Sequence, residues 1–104
     1  MYLKVHKRSE GKIVAVCDRE LIGRVLEEGD VFLDLDTYRG FYVGEIASKD
    51  EVKKALGKFS SANLVGEKAV DVALNMKLAK DDDVTYINTI PYIQLYRIGG
   101  GESV

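Results

Sequence analysis

Cysteine, histidine and proline each occur once in this chain of 104 residues, and neither sign of charge dominates it. The single cysteine, Cys17, rules out an internal disulfide and is the usage expected of a reducing compartment. With His6 as its one histidine, the chain cannot supply the roughly four nitrogen or sulfur ligands of a structural zinc site without recruiting carboxylates. The net charge of −2 argues against a dedicated duplex-DNA binder, which is ordinarily strongly basic, while leaving room for local basic patches. No apolar run approaches the ~18 residues of a membrane span. The opening Met1-Tyr2-Leu3-Lys4-Val5-His6 alternates like a strand and lacks a signal-peptide core. These absences predict a soluble, cytoplasmic protein with no membrane partner.

What is present describes a folded domain. Hydrophobic residues make up 46 % and charged residues 31 % of the chain, the balance of a globular protein and not of a disordered one. The length is that of one domain, expected over 1–98, with the glycine-rich 99–104 as a C-terminal tail.

Two β-rich runs, 2–7 and 12–17, flank Ser9-Glu10-Gly11 and predict a hairpin. The second run is apolar on both faces around Ile13 to Val16, as an interior strand is. Asp18 is placed to cap a short helix over 19–26, closed by the acidic turn Glu27-Glu28-Gly29-Asp30. Strands are then expected over 31–36 and 41–47, paired through the turn Thr37-Tyr38-Arg39-Gly40, with Gly44 marking a bulge or a close contact. Ser48-Lys49-Asp50-Glu51 has capping-box spacing. In the helix that follows, Val52, Ala55, Leu56 and Phe59 form one apolar stripe, and Lys49, Lys53, Lys54 and Lys58 fall on the opposite half. A second, mostly buried helix is expected to start near Asn63, with Val65, Ala69, Val72, Ala73 and Met76 as its stripe. Asp81-Asp82-Asp83 belongs in a connecting turn, since acidic residues are unfavourable at a helix C-terminus. Strands follow over 84–89 and 92–97, with Pro91 at a turn, an edge or a strand start. The predicted fold class is α+β: about six strands in a mostly antiparallel or mixed sheet, two main helices packed on it, and one short helix.

Few residues invite chemistry. Cys17 closes an apolar strand and reads as a buried, inert thiol; His6 alternates with Lys4 and Arg8 on a solvated strand face. Asp34, Asp36 and Glu45 could approach a divalent cation only if their strands converge. Tyr92, Gln94 and Tyr96 share a strand face and would form a stacking platform if Tyr86 and Asn88 lay beside them. The segment Ser60-Ser61-Ala62-Asn63-Leu64-Val65-Gly66-Glu67-Lys68 reads as a helix start. Its amides would either be capped by Asn63 or hold an anion together with Ser60, Ser61 and Lys68. Gly66 falls on the buried side and Glu67 opposes a phosphate there.

The runs Cys17-Asp18-Arg19-Glu20-Leu21-Ile22-Gly23, Glu28-Gly29-Asp30, Ala62-Asn63-Leu64-Val65-Gly66-Glu67-Lys68-Ala69-Val70 and Ile90-Pro91-Tyr92-Ile93-Gln94 together resemble the Domain of Unknown Function 424 family, from Tyr2 to about Arg97. The resemblance implies a cytoplasmic archaeal protein with an α+β fold, associated with translation and RNA. It carries over no catalytic residue and no established activity.

The resulting expectation is a non-enzymatic module binding RNA or a ribosome-associated protein. Its contacts are sought among Lys49, Lys53, Lys54, Lys58, Ser60, Ser61 and Lys68, with no cofactor, metal or catalytic residue. The alternative is a protein-interaction or oligomeric scaffold module, and the sequence leaves the oligomeric state open.

Overall fold

The computed structural model describes residues 1–97; the stretch 99–104, expected to be a tail, lies outside the described residues. The alternating runs form the predicted hairpin: Tyr2–Arg8 (β1) pairs antiparallel with Gly11–Cys17 (β2). Val14, Ala15, Val16 and Cys17 are fully buried, because both faces of β2 are covered.

The largest departure from the sequence expectation lies at the centre of the sheet. Residues Ser61–Val65 are not a helix start but a strand, β6, running parallel to β2 with Cys17 opposite Val65. A five-residue segment with apolar Ala62, Leu64 and Val65 satisfies helical and strand periodicity alike; here the neighbouring strand decides. The helix α3 begins only at Glu67 and runs Glu67–Asn75, burying Ala69, Val70, Val72 and Ala73.

Two shorter segments also differ. Beyond a 3-10 turn at Arg19–Leu21, the predicted helix gives way to a strand, Val25–Glu28 (β3), paired with Val31–Asp34 (β4) around the acidic turn. The expected strand over 41–47 divides into one helical turn, Arg39–Tyr42 (α1), and a two-residue strand, Glu45–Ile46 (β5), which pairs with β1 and not with β4. Gly44 is where this segment presses on β1: a Cβ there would meet the Leu3 carbonyl and lie 3.0 Å from Lys4 Cβ.

The capping box forms as read. Ser48 Oγ accepts from the Glu51 amide at 3.2 Å, and Glu51 Oε1 accepts from the Ser48 amide at 2.8 Å, opening α2 at Lys49–Ala55. Bonds from Ser48 to the Glu51 carboxyl, from its backbone amide first and then its side chain, hold that carboxyl below the ordinary range. After a short acidic 3-10 turn at Asp81–Asp83, Thr85–Ile87 (β7) and Ile90–Tyr96 (β8) complete the sheet. Pro91 is the second residue of β8, close to the strand start, and needs no ladder donor there.

The strand order is β5-β1-β2-β6-β8-β7 in the six-stranded sheet, with β3-β4 as a separate pair. The β2–β6 pairing is parallel and the other pairings in that sheet antiparallel, so the fold is α+β with a mixed sheet. One face packs Val14, Val16, Ala62, Leu64 and Ile93 against α2 and α3. On the other, Ala15, Cys17, Val65 and Ile87 pack against Leu21, Leu26, Leu35 and Tyr42 from the β3–β4 hairpin and its flanks.

This second core holds two ionisable groups that burial keeps neutral. The Cys17 thiol is pushed up to about 12 by burial, then by the Asp18 and Glu20 charges. The Tyr42 phenol is pushed up to about 12, again by burial. In the unfolded chain they ionise near 9.0 and 10.0. Both folded values are raised, so their stabilisation is complete below the unfolded values. It is lost as pH climbs from about 9 towards 12, at up to ~1.4 kcal/mol per pH unit for each group that ionises only on unfolding. Denaturant titrations across that window should show the fall. Iodoacetamide at neutral pH should leave folded Cys17 unmodified and label it only in denaturant; labelling of the folded protein would contradict the buried assignment.

Candidate functional site

The amides at the start of α3 already have an anion. Register places Asp18, just after β2, beside Gly66, just after β6, and the Asp18 amide donates to the Val65 carbonyl at 3.0 Å. Asp18 is 2 % exposed. Its Oδ2 accepts from the Lys68 amide at 3.0 Å and its Oδ1 from the Ala69 amide at 2.9 Å. These are the second and third helical amides, the pair that an N-cap side chain serves. Gly66 occupies the N-cap position with no side chain and φ +106°, so a residue 48 positions earlier in the chain does its work. Asn63 caps nothing there: it lies in β6, and its Oδ1 accepts from Gln94 Nε2 at 3.0 Å. The carboxylate also complements the helix dipole. An external phosphate would have to displace Asp18, and the anion cradle considered from sequence is therefore closed.

The opposite end of the sheet differs. Lys7 on β1 pairs with Lys12 on β2, the Ser60 amide donates to the Lys12 carbonyl at 2.8 Å, and the Arg97 amide donates to the Ser60 carbonyl at 2.9 Å. One row across four strands thus reads Lys7, Lys12, Ser60, Arg97. The loop leaving α2 reaches this row. The Arg97 guanidinium lies 4.2 Å over the Phe59 ring and donates to the Gly57 carbonyl at 3.5 Å. Exposed Lys58 belongs to the same loop, and exposed Lys53 and Lys54 are in the last turn of α2. The next row, whose side chains point to the opposite face of the sheet, is Ile13, Ser61 and Tyr96, with His6 opposite Ile13. Tyr96 is 73 % exposed. Glu10, in the β1–β2 turn, is the nearby acidic group and accepts from Ser9 Oγ at 2.8 Å.

Of the residues singled out from sequence, Lys53, Lys54, Lys58, Ser60 and Ser61 come together at this end. The Ser60 hydroxyl is engaged structurally, donating to the Glu10 carbonyl at 3.1 Å. Lys49 lies at the far end of α2, and Lys68 is exposed at the start of α3, beyond the other end of β6. Five residues of strand separate Ser60 from Gly66, about 20 Å. Lys7, Lys12 and Arg97 were not singled out. Each is an unremarkable cation at a strand end, and only the order β1-β2-β6-β8 collects them.

The other constellations disperse. Tyr92, Gln94 and Tyr96 share a face as read, but Tyr86 pairs with Pro91 on the opposite face and the Asn88 amide donates to Glu28 Oε1 at 2.6 Å. Asp34 Oδ1 is held by the amides of Asp36 and Thr37, Asp36 pairs with Arg39, and Glu45 is on edge strand β5. Among the described residues no three His, Cys, Asp or Glu side chains stand close enough to hold a metal ion. Cys17 is opposite Tyr2, four residues along β1 from His6, which separates them by about 13 Å. His6 is half-buried and not solvated: it stacks on Phe41 with centroids 4.6 Å apart. Among the described residues no helix is long and apolar enough to cross a membrane.

Comparison with known proteins agrees with this architecture. The family described as "Protein of unknown function (DUF424)" matches residues 5–98, and the chain belongs to it. The crystal structure of an uncharacterized conserved protein from Methanopyrus kandleri superposes with a TM-score of 0.74 at 24 % identity, covering 98 % of this chain and 97 % of that one. That likeness is one of fold. No curated protein matches the chain in sequence.

Proposed function

We propose that this member of the DUF424 family is a non-enzymatic RNA-binding module that uses the basic end of its sheet. The observation carrying the reading is the row Lys7–Lys12–Ser60–Arg97, with Lys58 on the adjoining loop. Clustered cations supply attraction to phosphates that is independent of sequence. The net charge of −2 confines that attraction to one end of the molecule. The single cysteine suits a cytoplasmic setting. A ribosome-associated location accords with the same surface, since RNA in an assembly presents the same phosphates.

Mobility shifts with bulk single-stranded RNA over a salt series test the proposal. Binding at low salt that weakens linearly on a log–log plot is expected; absent binding, or binding indifferent to salt, would refute it. The variant Lys7→Glu/Lys12→Glu/Lys58→Glu is expected to lower the magnitude of that slope by about 2, at ~0.7 per lost phosphate contact. Lys68→Glu, at the other end, is expected to leave it unchanged. All four positions are exposed, so folding is not at stake.

A further inference from the structure

A groove of about 320 Å³ opens between β4 and α1, lined by Phe32, Leu33, Asp34, Tyr38, Phe41 and Tyr42. Two of its rings are largely in water, Phe32 at 59 % and Tyr38 at 64 % exposure. The inner face of the hairpin is already sealed by Leu26 with Leu35 and Tyr42, so packing does not account for this display of aromatic surface. The back wall is rigid: Phe41 is stacked on His6 and meets Tyr42 edge-on at 5.1 Å.

The rim is acidic. Glu27 pairs with Phe32 in the β3–β4 register, Asp34 lines the groove and Asp36 follows it. The Asp34 carboxylate is fixed by the amides of Asp36 and Thr37 at 3.0 and 2.8 Å. Bonds from Thr37, backbone first, hold it below the ordinary carboxylate range, so it is charged at neutral pH. Arg39, the cation of α1, is committed to Asp36 at 2.6 Å. Ring faces bordered by carboxylates repel phosphate and favour a cation on an apolar stem. A planar guanidinium suits both the rings and a carboxylate better than an ammonium.

We infer that this groove receives an arginine side chain from a basic peptide segment of a partner protein. The stem lies on Phe32 and Tyr38, and the guanidinium faces Asp34 and Glu27. The groove lies on the opposite face of the sheet from Lys7 and Lys12 and is complementary to the basic end in charge, so one molecule could hold RNA and a basic protein segment on different faces.

The probe is a ten-residue peptide of alternating glycine and arginine, titrated into the full chain and followed by amide and ring NMR shifts. Saturable shifts confined to residues 27–42 are expected. Tyr38→Ala should weaken binding about tenfold and Glu27→Gln by a smaller factor, while Lys7→Glu/Lys12→Glu/Lys58→Glu should leave it intact. Glu27 and Tyr38 are exposed, and an unchanged amide spectrum elsewhere verifies each fold. No shift in 27–42 would overturn the inference. Equal binding of a glycine–leucine or glycine–glutamate peptide, or a dimer that buries the groove in sedimentation, would do so too.

Discussion

Gly66→Ala is expected to cost at least ~4 kcal/mol and to leave little folded protein at 37 °C. Two independent penalties act at this position. The backbone has φ +106°, where a residue with a Cβ is strained by about 1–3 kcal/mol. The added methyl would also lie 2.7 Å from Asp18 Cβ and closer still to its carboxyl. That carboxyl cannot retreat without giving up the Lys68 and Ala69 amides. Nor can Gly66 move: its amide donates to the Pro91 carbonyl at 2.8 Å and its carbonyl accepts from Val70 at 2.9 Å. Circular dichroism melts should show a fall in Tm of ~20 °C or more, at 4–8 °C per kcal/mol for a domain of this size. A melt within a few degrees of wild type would mean that the strand-to-helix junction is not as described.

Asp18→Ala is expected to cost ~2–4 kcal/mol. It removes two charge-assisted bonds and leaves two amides at a buried helix start without an acceptor. It also removes the charge that complements the α3 dipole. Asp18→Asn keeps the shape but offers one carbonyl acceptor, so its cost should fall between Asp18→Ala and wild type. The two sites are coupled by contact. Without the Asp18 carboxyl, the two closest contacts of the Gly66→Ala methyl disappear, leaving the φ penalty and the 2.7 Å approach to Cβ of residue 18. The double variant should therefore cost less than the sum of the singles by more than ~1 kcal/mol. Strict additivity would deny that the two residues meet.

These residues also show what the sequence could and could not specify. The β1–β2 hairpin and the Ser48 capping box are local: alternation, a glycine turn and an S-x-x-E spacing specify them without reference to the rest of the chain. The segment 61–65 is different. Its apolar positions fit a helical wheel, and only the partner strand β2, some fifty residues away, makes it a strand. Asp18 was expected to cap a helix over 19–26, but its side chain caps nothing there; the helix it does cap, α3, is reached only through that same long-range pairing. β4 was legible within the strand expected over 31–36, whereas β3 and the two residues of β5 are too short for periodicity to identify. The basic end follows the same pattern. The lysines of α2 were visible as one helix face, whereas Lys7, Lys12 and Arg97 become neighbours only through a strand order that departs from chain order.

Amide chemical-shift mapping during titration with single-stranded RNA tests the proposed binding at the Lys7–Lys12–Ser60–Arg97 end. Shifts should concentrate at residues 7–12, 58–61 and 95–97 and fade as salt is raised. Shifts centred on the start of α3, Glu67 to Ala69, or absent from the basic end while RNA is bound, would contradict it.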